Sequence, residues 1–185
     1  MTDIRVLVAY ASKYGATAEI AERIGKVLQD RGLQADVLPA EHVRDLAPYQ
    51  AVILGSAVYM SNWRKPAVAF LKANEKALAA RPVWLFSSGP PSRKDEAFAQ
   101  GKTLPNALKP IADRIRPRDI VVFHGFLNPR RLNFIEKWMI KNVKAPYGDF
   151  RRWKDIRAWT NSIAAALKGP AQADESRGLA SEDGP

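Results

Sequence analysis

Four apolar runs constrain this chain more than any other feature: VLV at 6–8, AVIL at 51–54, VWLF at 83–86 and IVVF at 120–123. None of them alternates with polar residues, so each reads as a strand covered on both sides rather than one with a wet face. Between them lie stretches with helical spacing, such as Ile20, Ala21, Ile24, Val27 and Leu28. Strands are expected at 4–10, 35–38, 51–55, 83–87 and 120–125, and helices at 17–31, 66–80, 104–115 and 152–168. Pro66 suits the first turn of its helix, whereas Pro105 and Pro110 interrupt the next one. Five strands alternating with helices predict an α/β fold, a parallel sheet with helices on both faces. The domain is expected to span 1–168. Residues 169–185, polar and rich in Gly, Ala and acids, read as a disordered tail.

Sheets of this kind take ligands outside the carboxyl ends of their strands. Three loops leave those ends. The first, Ser12, Lys13, Tyr14, Gly15, Ala16 and Thr17, joins a strand directly to a helix. A helix start carries unpaired N–H groups and the positive end of the helix dipole, so this layout suits an anion. Ser12 and Thr17 add hydroxyls, and Gly15 permits close approach of the backbone. An ordinary capped βα turn has the same spacing, and neither a Walker loop nor a GxGxxG pattern is present. The second loop, 56–65, holds Tyr59 and Trp63, two aromatics suited to walling a flat ring, although Trp63 could equally cover the next helix. The third opens with Ser87, Ser88 and Gly89, whose backbone donors could meet a polar ring edge, or which could simply form a turn. Together on one sheet edge, the loops favour a mononucleotide with a planar head.

Composition removes several classes. There is no cysteine, hence no disulfide, thiolate metal site or iron–sulfur cluster. The two histidines, His42 and His124, are far apart in sequence, and His124 reads as a structural residue in an apolar run. No signal peptide is expected ahead of the first strand, and no apolar run approaches the roughly 18 residues of a membrane span. The net charge of +10 suggests an anionic partner. It is concentrated between Phe126 and Lys154, where Arg130, Arg131, Lys137, Lys141, Lys144, Arg151, Arg152 and Lys154 face only Glu136 and Asp149. That stretch therefore supplies eight minus two, or +6, of the total. Within it 131–144 reads as a helix, with Phe134, Ile135, Trp138, Met139 and Val143 near i, i+3, i+4 spacing and bases interleaved. It could face a core, an anionic lipid surface or an acidic partner. No nucleic-acid recognition motif accompanies the charge.

The strand and helix order, the SKYGAT loop and the aromatic loop after Gly55 resemble flavodoxins. More narrowly, SKYGAT, GSAVYMSNWRKP and GFLNPRRLNFIEKWMIKNVKAPYGD resemble the flavodoxin-like menaquinone-dependent protoporphyrinogen oxidases, which carry an insertion between the fifth strand and the final helix. The resemblance covers about residues 1–168 and implies a flavodoxin-like three-layer sandwich with strand order 2-1-3-4-5 and FMN as cofactor. It implies that Ser12, Lys13, Tyr14, Gly15, Ala16 and Thr17 cradle the FMN phosphate. Ala57, Val58, Tyr59, Met60, Ser61, Asn62 and Trp63 would form one isoalloxazine loop, and Ser87, Ser88 and Gly89 would begin the other. Tyr14 stands where flavodoxins usually have a second Thr, and Ser61 or Asn62 near where many have a Gly. The insertion, 126–153, would contact substrate or membrane through Arg130, Arg131, Phe134, Trp138 and Lys141.

Three functions are consistent with these readings. One is an FMN-dependent oxidoreductase, protoporphyrinogen dehydrogenase-like and so tied to heme biosynthesis, that passes electrons from an organic substrate to a quinone such as menaquinone. Propionate groups on a porphyrinogen would favour Arg130 or Arg131. Such a protein would be cytoplasmic, with a peripheral position at the inner face of the cell membrane. A second is an FMN electron carrier or flavin-dependent quinone reductase, although flavodoxins are typically acidic. A third is a non-flavin α/β module binding an anionic surface or partner. A receiver-type signalling domain fits poorly, because no acidic residue ends the first strand at Ala9, Tyr10, Ala11 or follows Gly55. No carboxylate pair or Ser-His-Asp set names a catalytic acid or base.

Overall fold

The computed structural model describes residues 4–59, 61–89, 104–127, 130, 141 and 148–169. Its main sheet is built from β1 (Arg5–Ala11), β2 (Gln34–Pro39), β3 (Ala51–Tyr59), β5 (Val83–Gly89) and β6 (Asp119–His124), all parallel in the order β2-β1-β3-β5-β6. A short strand, β4 (Asn62–Trp63), pairs antiparallel with the end of β3. With that extra strand set aside, the order is the 2-1-3-4-5 expected from the sequence, and it reverses beside β1.

Each apolar run feeds two cores, as double-sided burial requires. In β1, Val6 and Val8 point into one core, and Leu7, Ala9 and Ala11 into the other. The first core is completed by Ile20, Ile24 and Leu28 of α1 (Ala16–Asp30) and by Ile156, Trp159 and Ile163 of the C-terminal helix, α5 (Trp153–Lys168). The second is closed by Phe70 and Leu71 of α2 (Lys65–Ala73), Leu78 of α3 (Glu75–Ala79), and Ile111 and Ile115 of α4 (Lys109–Ile115). The result is three layers with the sheet in the middle. Each fully buried Leu or Ile contributes about 1.5–3 kcal/mol relative to exposure.

The departures from the expected elements have local causes. The single helix expected over 66–80 is two helices, because Asn74 leaves helical geometry (φ −113°, ψ 13°) and its side-chain amide donates to the Phe70 carbonyl at 2.9 Å. The helix expected over 104–115 begins as a 3₁₀ turn at Asn106–Leu108. The α-helix starts only at Lys109, with Pro110 in its first turn, where the missing N–H is not needed. Residues 56–59, expected as loop, continue β3 and return through β4. Ser61, at φ 60°, takes the left-handed conformation that this tight return demands. Similarly, β5 runs two residues past its expected end and carries Ser88 and Gly89 in the sheet.

A second, two-stranded sheet pairs β7 (Phe126–Leu127) with β8 (Gly148–Asp149) in antiparallel register and forms the base of the basic insertion. The helix expected over 131–144 lies outside the described residues except at Lys141. The tail beyond residue 169 also lies outside them. No described helix is long and apolar enough to cross a membrane.

Candidate functional site

The parallel register brings the three loops together at the carboxyl edge of the sheet. Ala11 pairs with Ser56, Ser56 with Ser87, Ala57 with Ser88 and Gly89 with His124. Polar groups gather there. Of the buried polar residues Thr17, Ser56, Ser87, Ser88 and Thr160, the first four lie at this edge.

The first loop ends in Gly15, whose φ of 93° is left-handed and sets the chain's entry into α1. The Gly15 amide donates to Ser12 Oγ at 3.0 Å, so the loop closes on itself. No side chain caps α1. Helical geometry leaves the amides of Ala16, Thr17 and Ala18 without an intrahelical acceptor, and they meet whatever lies in the loop.

Each pair of loops is tied directly. Lys13 Nζ lies 4.4 Å from the centre of the Tyr59 ring and 5.1 Å from that of Tyr14, joining the first loop to the second. Thr17 Oγ1 lies 3.2 Å from Ser88 Oγ in a buried hydrogen bond that joins the first to the third. The Trp63 indole N–H donates to Ser87 Oγ at 2.8 Å, joining the second to the third. Ser56 Oγ accepts from the Arg64 amide at 2.9 Å and donates to the Ala57 carbonyl at 3.0 Å, which fixes the start of the second loop.

The aromatics of the second loop separate. Tyr59 is 39% exposed and Trp63 only 5%, so Tyr59 presents a face to solvent while Trp63 is committed to the core. The Thr17 hydroxyl, read from the sequence as an added donor for the anion, is engaged with Ser88. Met60, Arg131, Phe134 and Trp138 fall outside the described residues. Arg130 and Lys141 are exposed.

Among the described residues two buried side-chain nitrogens have no hydrogen-bond partner, Arg64 Nε and His124 Nδ1. Arg64 follows β4, and His124 ends β6. Buried polar atoms without partners are costly, and native folds rarely keep them unless something else satisfies them. Both belong to segments that leave this one edge, so the edge has polar capacity that the protein itself does not use. His124, read from the sequence as a structural residue, is only partly buried and carries one of these atoms. Among the described residues no cluster of three or more His, Asp or Glu could hold a metal ion. Burial, reinforced by Glu22 and then Glu41, pushes the Tyr10 phenol above its ordinary value and keeps it protonated beside the loop.

The insertion returns to this same edge. The Gly125 amide donates to the Gly89 carbonyl at 2.7 Å, and the Phe150 amide to the Gly125 carbonyl at 3.2 Å. Arg151, counted in the sequence only as one base among eight, proves to have an enclosed side chain. Its side chain is 7% exposed, with ion pairs to Glu19 of α1 and to Asp149 of β8. Ser56 was also missed as a functional position. Its signal is a lone hydroxyl closing an apolar run.

Residues 7–152 match the Flavodoxin domain family. The chain is 24% identical over 179 residues to protoporphyrinogen IX dehydrogenase [quinone] of Escherichia coli (strain K12), covering 90% of this chain and 98% of that protein. Among solved structures it resembles oxidised flavodoxin 2 from Bacillus cereus, at 20% identity and a TM-score of 0.58 over 89% of this chain and 99% of that one. It also resembles a flavodoxin from the domain Archaea, at 14% identity and a TM-score of 0.57 over 90% of this chain and all of that one. The chain therefore belongs to the flavodoxin domain family and is a flavodoxin-like redox protein with FMN as its cofactor.

Proposed function

We propose that this protein is an FMN-dependent oxidoreductase that takes reducing equivalents from an organic substrate, with protoporphyrinogen IX as the candidate, and passes them to a quinone. The observation that carries the reading is where the root of the insertion lies. Its base, β7–β8, is hydrogen-bonded through Gly125 to Gly89, the last residue of the third loop's strand. A basic insertion rooted there would meet a substrate with carboxylate arms arriving at the edge that we read as the ring site. The relative at 24% identity, a quinone-linked protoporphyrinogen IX dehydrogenase, supports the same assignment.

The unused polar capacity of the edge fits a cofactor. The amides of Ala16, Thr17 and Ala18, with Ser12 and Lys13 beside them, would hold the phosphate. The segments 57–63 and 87–89 would flank the ring, with Tyr59 as its exposed aromatic wall. When bound, FMN supplies the redox chemistry through its isoalloxazine ring. The protein's share is position and electrostatics. Thr17–Ser88 and Trp63–Ser87 hold the loops in one arrangement, and buried Trp63 and Ser87 exclude water beneath them. Arg130, three residues past β7, would pair with a carboxylate arm of the substrate. The other basic residues of 126–153, Arg151 apart, would place the protein against anionic lipid, where quinone resides.

The test is anaerobic incubation of the FMN-loaded protein with protoporphyrinogen IX and a soluble menaquinone analogue, following porphyrin fluorescence and quinone absorbance together. Coupled porphyrin formation and quinone loss are expected. A loaded protein that forms no porphyrin and reduces no quinone overturns the assignment.

A further inference from the structure

We propose that Arg151 is a positioning residue for the anion loop: by neutralising Glu19 in the first turn of α1, it sets how tightly a phosphate is held there. The proposal rests on the reading of 12–17 as a phosphate site and adds a residue far from it in sequence.

Arg151 is the most enclosed cation that forms an ion pair among the described residues. Its Nη1 reaches Glu19 Oε2. Its Nε and Nη2 grip Asp149 through both carboxylate oxygens, at 2.8 and 2.6 Å, and its amide also donates to Asp149 Oδ1 at 3.1 Å. The guanidinium carbon lies 4.6 Å from the centre of the Trp153 ring and 5.3 Å from that of Phe126. Trp153 also meets Arg23 of α1, at 5.5 Å. One side chain thus joins the root of the insertion, the start of α5 and the first turn of α1.

Glu19 makes this consequential. Its amide is the first to bond within α1, to the Gly15 carbonyl at 2.9 Å, so it sits one turn from the loop. Side chains on a helix lean toward its N-terminus, which directs this carboxylate toward the anion site. An unpaired carboxylate there would compete with a phosphate for the helix dipole and repel it. Arg151 offsets that conflict, and because the Glu19 side chain is 45% exposed the effect is strongest at low salt. The cluster of one guanidinium and two carboxylates carries a net charge of −1, and it becomes −2 without the arginine.

The experiment titrates apoprotein with FMN and with riboflavin, which lacks the phosphate, at low and high ionic strength. Arg151→Met keeps the apolar stem, and Glu19→Gln removes the opposing charge. For Arg151→Met, FMN affinity is expected to fall roughly three- to tenfold at low salt, with riboflavin affinity unchanged. The double variant should regain most of the loss. Glu19→Gln alone should bind FMN at least as tightly as the unmodified protein, and it carries the test if Arg151→Met does not fold. Equal loss for FMN and riboflavin in Arg151→Met overturns the proposal, as does weaker FMN binding by Glu19→Gln. An unmodified protein that binds neither flavin overturns the phosphate-site reading itself, a result distinct from both.

Discussion

The indole N–H of Trp63 donates to the hydroxyl of Ser87 at 2.8 Å, with both residues buried. This bond spans the second and third loops. Ser87→Ala strands the indole donor away from water, at a cost of about 1–3 kcal/mol. Urea unfolding of the apoprotein should show the midpoint falling with an unchanged slope. Pairing Ser87→Ala with Trp63→Phe, which deletes the donor, should cost less than the sum of the two single changes.

Gly15 holds the 12–17 loop at a φ that side chains resist. Gly15→Ala should destabilise the apoprotein by about 1–3 kcal/mol. The loop amides shift at the same time, so FMN affinity should fall more than riboflavin affinity. Thermal unfolding and fluorescence titration read the two effects separately. An FMN-to-riboflavin affinity ratio that stays fixed would remove Gly15 from phosphate binding.

The fold was legible because burial on both faces leaves unbroken apolar runs: VLV, AVIL and VWLF became the three inner strands, and IVVF became the half-buried edge strand β6. The loop positions were legible for the converse reason: small polar residues such as Ser12 and Ser87 interrupt those runs at one end of each strand. The ties between loops were not. Thr17 and Ser88 are 71 positions apart, and periodicity carries no information about such a pair. Nor could the sequence tell Tyr59 from Trp63, since exposure depends on the β3–β4 return and not on residue type. Arg151 looked like seven other bases, and its partner Glu19 lies 132 positions away. Only packing distinguishes a clamped guanidinium from a solvated one.

Gly55 is occupied by its neighbour. A Cβ built there would lie 1.9 Å from Cζ of Phe86, the residue beside it in the sheet. Phe86 is fully buried and meets Phe123 and Trp159, with ring centres 5.9 and 6.2 Å away. Gly55→Ala therefore forces the ring out of a packed cluster, at a cost of about 1–3 kcal/mol or more. Adding Phe86→Leu vacates the space, so Gly55→Ala should cost less in that background than in the unmodified protein. Equal costs in both backgrounds, measured by chemical denaturation, would show that the ring is not what excludes the methyl group.

Asp149 gives the fold a signature in acid. Hydrogen bonds from the Arg151 side chain hold its carboxyl below the ordinary carboxylate range, outweighing the opposing effect of burial. The unfolded chain, with an ordinary carboxyl near about pH 3.9, takes up a proton first as pH falls. The stabilisation is therefore complete above that value and is lost progressively as pH drops toward and through the lowered folded value. Asp149→Asn lacks the charge at every pH. Its Tm should lie below that of the unmodified protein at neutral pH, and the gap should close as pH falls from about 5 to about 2.5. Because 42% of the Asp149 side chain is exposed, the gap should also narrow in high salt. A gap that stays constant across this range would mean that the Asp149–Arg151 pair contributes shape to the insertion's root and no charge-dependent stability.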